Sequence, residues 1–323
     1  MRRINQKIVE RIEKDLEEGV LKELSRKILK DDTLELEYRS NYISVYYRGG
    51  CISKLEWKAE GMYEDYFNNN YKNVESIISE DEEEKNLQLQ MVIKSNEDCL
   101  QLVKNITERK EYMNYFFAQR PKREREYQQL VERENNAKED SNYYIADIEY
   151  ANEDNRFDMI AVQRKDHKDY QNLKLAIIEM KYGSKAIGNE CGVYDHFMGV
   201  KSLSTEAIKD IIEDTETIMK YKKELGLIKA NKYVDRGIKI NTSEIDFIFF
   251  ISGITLKHNK TLLKELEKIN NDIKTDEEFK NREIKINVKV FCPYMAGNVM
   301  FDKDILSIDE FLELTEFIKN RVA

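Results

Sequence analysis

The run Ile177-Ile178-Glu179-Met180-Lys181 closes a strongly apolar stretch with an acid and a base two residues apart. On a strand, side chains two apart share a face, so Glu179 and Lys181 project together where a buried strand meets solvent. Upstream, Phe157-Asp158-Met159-Ile160-Ala161-Val162 opens another apolar stretch with a carboxylate. If the two stretches pair as antiparallel neighbours, Asp158 at the start of one faces Glu179 at the end of the next. Two carboxylates brought together in this way make a hard-oxygen site suited to magnesium. Lys181 adds a compact positive charge whose pKa responds to its surroundings. The plain alternative is a surface ion pair between Glu179 and Lys181 at a strand end.

The surrounding sequence supplies elements that can position these groups. Pro121 suits the first turn of a helix reaching to about Lys138. Three strand-like stretches follow, Tyr143–Tyr150, Arg156–Arg164 and Leu173–Lys181, with Asn152-Glu153-Asp154-Asn155 as a turn between the first two. A helix from about Thr205 to Leu225 carries Ile208, Ile211, Ile212, Ile218 and Met219 on one face, and Gly226 is its natural stop. Ile245–Ile251 reads as a central strand covered on both faces. Beyond it lie a helix with Leu262, Leu263, Leu266 and Ile269, and an alternating strand with Ile284, Ile286, Val288 and Val290. A last helix opens on Ser307 and Glu310 at capping-box spacing.

The order helix, three strands, helix, strand resembles the core of the PD-(D/E)xK phosphodiesterase superfamily, also called restriction-endonuclease-like. Asp158 matches that family's Asp, and Glu179-x-Lys181 matches its (Asp/Glu)xLys; Phe157 stands where the nominal motif has proline. The resemblance covers roughly residues 120–255. It implies an α/β fold, a mixed sheet flanked by helices in the order α-β-β-β-α-β. It also implies a metal-dependent nuclease, with DNA favoured over RNA as substrate. Asp158 and Glu179 would hold magnesium, with manganese as a substitute, and Lys181 would orient or activate the attacking water. Glu149, on the strand before, is a candidate third ligand. The family often carries another acid on the helix before the first strand, and here the options are Glu124, Glu126, Glu132 and Glu134. Lys122, Arg123, Arg125 and Lys185 are candidates for a phosphate track. His196 is a candidate phosphate contact or leaving-group acid. It lies in a stretch with Gly188, Gly192 and Gly199 that reads as a mobile substrate loop. Duplex cutting generally needs two sites, which makes a homodimer a reasonable arrangement.

Residues 1–115 read as a separate recognition region and 116–323 as the nuclease domain. Ile4, Ile8, Ile12 and Leu16 mark an amphipathic helix, with a break at Gly19. Leu34–Tyr38, Tyr42–Tyr47 and Cys51–Trp57 then form a small antiparallel meander, with turns at Asn41 and Gly49-Gly50. The acidic run Glu80–Glu84 reads as a solvated loop or helix start. In 323 residues, 41% are hydrophobic, so a sizeable core is available. The 36% charged residues indicate a well-solvated surface. Two prolines and twelve glycines argue against long flexible linkers.

Four scattered cysteines with no CxxC pair exclude a zinc ribbon and argue against a disulfide framework. No apolar signal region opens the chain, and the longest apolar run, Phe247 to Ile251, is too short to span a bilayer. The expectation is therefore a cytoplasmic protein without membrane contact. The net charge of −9 excludes a uniformly basic coat but not a local basic groove. The competing functional class is a catalytically inactive nucleic-acid-binding or assembly subunit that keeps the nuclease-like core. If the local groove exists, nucleic-acid affinity should fall as salt rises, because backbone binding releases counterions. Neutralising Lys122, Arg123 and Arg125 together should flatten that salt dependence in a filter-binding or anisotropy titration. Salt-independent binding would contradict a basic track on this helix.

Overall fold

The computed structural model describes residues 4–72, 88–151, 156–164, 172–187, 192–228, 237–254, 260–293 and 297–321. The turn at 152–155, the loop at 165–171 and the acidic run at 80–84 lie outside the described residues, as does Cys191. The chain is α/β and divides into two compact units. The first comprises Met1–Arg133 and Lys220–Lys229, the second Glu134–Met219 and Ala230–Ala323. Among the described residues, no helix is long and apolar enough to cross a membrane.

The first unit begins with α1 (Gln6–Glu17) and α2 (Lys22–Lys30). The side chain of Asn5 accepts from Ile8 N–H to cap α1, which buries Val9, Ile12 and Leu16. At Gly19 the path turns so tightly that a β-carbon would lie 2.2 Å from Asp15 Oδ1, which explains the break there. The meander is present as β1 (Glu35–Tyr38), β2 (Tyr42–Tyr47) and β3 (Gly50–Ala59). It is extended by β4 (Met62–Tyr66) and β5 (Gln90–Ile93) into a five-stranded antiparallel sheet in sequential order. α3 (Asn96–Gln119) follows, capped by Ser95, and residue 115 lies inside it.

Two buried charge networks hold this unit. Arg109, fully buried on α3, donates to Asp65 of β4 (2.6 Å) and to the carbonyls of Ile52 (3.2 Å) and Gln88 (2.9 Å). Ser53 donates to the same aspartate. The second network joins α4 (Arg123–Ala137) and α6 (Thr205–Glu224), both of which begin or end in this unit. Lys222 Nζ lies 3.1 Å from the carboxylate of Glu37 and 3.4 Å from that of Glu132, all three side chains being buried.

The second unit contains a six-stranded mixed sheet in the order β11-β10-β9-β8-β7-β6. β6 (Tyr143–Ala151), β7 (Arg156–Gln163) and β8 (Lys174–Tyr182) are antiparallel neighbours. β9 (Glu244–Ser252) runs parallel to β8, a pairing that needs a long connection and has one through α6, and β10 (Lys285–Phe291) runs parallel to β9. The connection from β9 to β10 carries α7 (Lys260–Thr275) and α8 (Glu277–Lys280). Ile245 and Phe247 through Ile251 have no exposed surface, in keeping with a strand covered on both faces. β11 (Ile305–Ser307) and α9 (Ile308–Arg321) close the chain. Ser307 and Glu310 exchange hydrogen bonds at the start of α9, as their spacing predicts.

The stretch expected as a mobile loop around His196 is instead a helix over its described part, α5 (Val193–Lys201). Val193, Phe197 and Val200 recur at helical spacing and are buried, and α5 packs on α7. That amphipathic period outweighs the glycines. At the outer strand, a bulge between Ile145 and Asp147 shifts the β6 register. There the side-chain amide of Asn136 donates to Ile145 O (2.9 Å) and accepts from Ile145 N–H (2.8 Å).

Arg109→Met would leave Asp65 buried without its cation. Stability should drop by about 3–5 kcal/mol, the usual cost of breaking a buried pair from one side. Urea unfolding should show this loss, and adding Asp65→Asn in the same chain should recover part of it.

Candidate active site

β7 and β8 position the two carboxylates. Their last paired residues are Met159 and Ile178, so Asp158, one step further, stands across from Glu179. On the other side, the pairs Ile148–Met159 and Tyr150–Phe157 bracket Glu149, which therefore stands across from Asp158. The three acids form a row over three adjacent strands. Side chains directly across an antiparallel pair share a face. Asp158 is tied down by Met180 N–H, which donates to Asp158 Oδ2 (2.8 Å) and so locks the acid to the strand that carries Glu179.

Glu179 and Lys181 are 3% and 5% exposed, so this is a buried polar network and not a surface ion pair. Lys181 Nζ donates to Glu179 Oε1 (2.9 Å). Nδ1 of His196, on α5, lies 3.1 Å from the same oxygen. Burial, then the negative charge of Asp158, push the Glu179 carboxyl up to about 8; Lys181 pulls against them, and a hydrogen bond with Asp158 adds to the rise. Near neutral pH the Glu179 carboxyl thus keeps its proton.

The other expected site residues fall in different places. Glu149 is half-buried and its carboxylate pairs with the exposed Arg156; its φ of 55° is unusual for a residue with a β-carbon. Of the helix acids, Glu126 bonds Arg48 (2.7 Å) and Glu132 belongs to the Lys222 network, so both are engaged within the first unit. Glu124 and Glu134 are half-buried on α4. Lys122 and Arg123 are exposed at the start of that helix, and Arg125 is half-buried. Lys185 lies in a short 3-10 turn, Ser184–Ala186, directly after β8. Asp147, buried and paired with Ile160, lies on the same face of the sheet as Asp158 and Glu179. His196 is the residue whose importance the sequence understates. The signal for it is a polar residue inside the apolar stripe Val193, Phe197, Val200 of α5.

Among the described residues, no set of three or more metal-type side chains converges. Asp158 and Glu179 still fit a hard divalent cation. Magnesium commonly takes one or two carboxylates and fills its remaining positions with water or phosphate oxygens. No family model, characterised protein or solved structure matches the chain.

The raised Glu179 carboxyl predicts a sign for stability against pH. Between about 4.5 and 8 the folded chain holds a proton that the unfolded chain has released, so stability falls as pH rises through this window. Measured by urea unfolding in chelator, wild type should lose stability relative to Glu179→Gln from pH 5 to 8, and the gap should level off above. A gap independent of pH would refute the raised carboxyl.

Proposed function

We propose that the second unit is a restriction-endonuclease-like nuclease core in which Asp158, Glu179 and Lys181 hydrolyse phosphodiester bonds of nucleic acid, DNA before RNA. The observation that carries this reading is the convergence of Glu179 with Asp158 and Lys181 at the end of one strand of a mixed sheet. Asp158 and Glu179 would hold magnesium or manganese. The ion, when bound, would polarise the scissile phosphate and lower the pKa of a water.

The chain's own groups have separable tasks. Met180 N–H keeps Asp158 facing Glu179. Glu179 would hold the cation as its ionised carboxylate, so cation affinity would rise with pH. Lys181, whose ammonium bonds Glu179 Oε1 inside the buried network, would orient the attacking water or a phosphate oxygen. If the substrate is duplex, two copies of the site in a homodimer would cut both strands.

One observation favours a second reading. Lys181 and His196 both engage Glu179 within a buried network, an arrangement that also suits a nucleic-acid-binding or assembly subunit without turnover. Incubation of the purified chain with labelled single- and double-stranded DNA and RNA, in magnesium, manganese or chelator, separates the two. Metal-dependent cleavage supports the nuclease; metal-independent binding without cleavage supports the subunit.

In the nuclease reading, Lys181→Ala should lower cleavage by at least about a hundredfold, the scale of a positioned catalytic group. Thermal melting should change little, because Glu179 can remain protonated instead of standing as an uncompensated charge. DNA affinity should weaken only modestly. A variant that melts like wild type and cuts at the wild-type rate would remove Lys181 from the mechanism.

A further inference from the structure

We infer that His196 is a positioning residue for the cation site, holding the Glu179 carboxylate in the one orientation that faces Asp158. The inference rests on the reading of Asp158 and Glu179 as cation ligands and adds to it a residue on a different element. The last torsion of a glutamate is broad, so a lone carboxylate turns freely about it. Here Lys181 Nζ and His196 Nδ1 both reach Glu179 through the same oxygen, Oε1, at 2.9 and 3.1 Å. Two donors on one oxygen remove that freedom, and neither uses Oε2. In the cation-loaded site Glu179 would be ionised and would only accept, so Nδ1 would carry the hydrogen of this contact there. Asp158, tied to β8 by Met180 N–H, stands across the ladder from the carboxylate so oriented.

The helix that presents His196 is itself held at both ends. Asp195 accepts from Gly192 N–H (3.3 Å) at its start. At its end, the Arg282 guanidinium donates to Lys201 O (2.6 Å) and to Leu203 O. Phe197 packs edge-on against Phe279 of α8, ring centroids 5.7 Å apart. His196 sits next to Phe197 with its side chain mostly buried, so its position follows from helix packing and not from the contact with Glu179. Outer partners of this kind typically account for about ten- to hundredfold in cation affinity.

The test is manganese binding by calorimetry, with the melting temperature of each protein, on the full-length wild type, Asp158→Asn, His196→Ala and His196→Asn. Asparagine suits the rescue because its amide nitrogen, like Nδ1, is bonded to Cγ. Asp158→Asn should abolish binding. His196→Ala should weaken it by about tenfold or more, and His196→Asn should recover most of the loss, with melting unchanged in both. If His196→Ala binds manganese as tightly as wild type, or tighter, His196 is a bystander or a competitor for Glu179, and the positioning role is overturned while the cation site stands. If wild type and Asp158→Asn bind alike, the cation site itself is lost and this role with it. Should His196→Ala melt early, the asparagine variant decides: restored affinity supports positioning, and a folded variant with weak binding overturns it.

Discussion

A carboxylate taken out of water and set against a second carboxylate must gain a cation or keep a proton. Glu179 does both, through Lys181 and through the proton that its raised carboxyl keeps. This balance exists only in one register of β7 against β8. A slip of one residue would turn Asp158 to the opposite face from Glu179 and move the apolar residues of β7 with it. The core guards against that slip. Met159, Ile160, Ala161 and Val162 pair with Ile178, Ile177, Ala176 and Leu175, and all eight are buried. The apolar core therefore keeps an unfavourable juxtaposition of charges in place.

The first unit follows the same rule with other partners. Lys222 is set between Glu37 and Glu132, and Arg109 among Asp65 and two carbonyls, so each buried cation has more than one acceptor. Such networks join segments far apart in the chain: residues 37, 132 and 222 in one case, 65 and 109 in the other. They also made part of this unit hard to read. β4 carries Glu64 and Asp65 side by side, a pair with no apolar alternation to mark a strand, and Arg109 neutralises the buried Asp65. β1, β2 and β3, with apolar and aromatic residues and glycine turns, were plain from sequence.

In the second unit the helices and strands stood out because their apolar periods are long and uninterrupted. β9 is the clearest case, with Ile245 and the five-residue apolar run Phe247 to Ile251 buried throughout and only Asp246, paired with Lys174 and Lys289, between them. The placing of Asp158 across from Glu179 was also legible, since it follows from two strand ends and one antiparallel pairing. Two features were not. α5 was hidden by its glycines, whose effect on local propensity was outweighed by the packing of Val193, Phe197 and Val200. The contact of His196 with Glu179 bridges elements with no shared period, and only tertiary packing creates it.

Asn136 has a consequence for how copies of this chain can meet. β6 is the outer strand of its sheet, and an outer strand offers unpaired N–H and C=O groups that readily accept another strand. At Ile145 both groups are already taken by the Asn136 amide, at the point where the bulge interrupts the ladder. A single side chain thus imitates a neighbouring strand and ends the sheet there. At Ile145 the outer edge of β6 is thereby capped, which disfavours another strand pairing across this point.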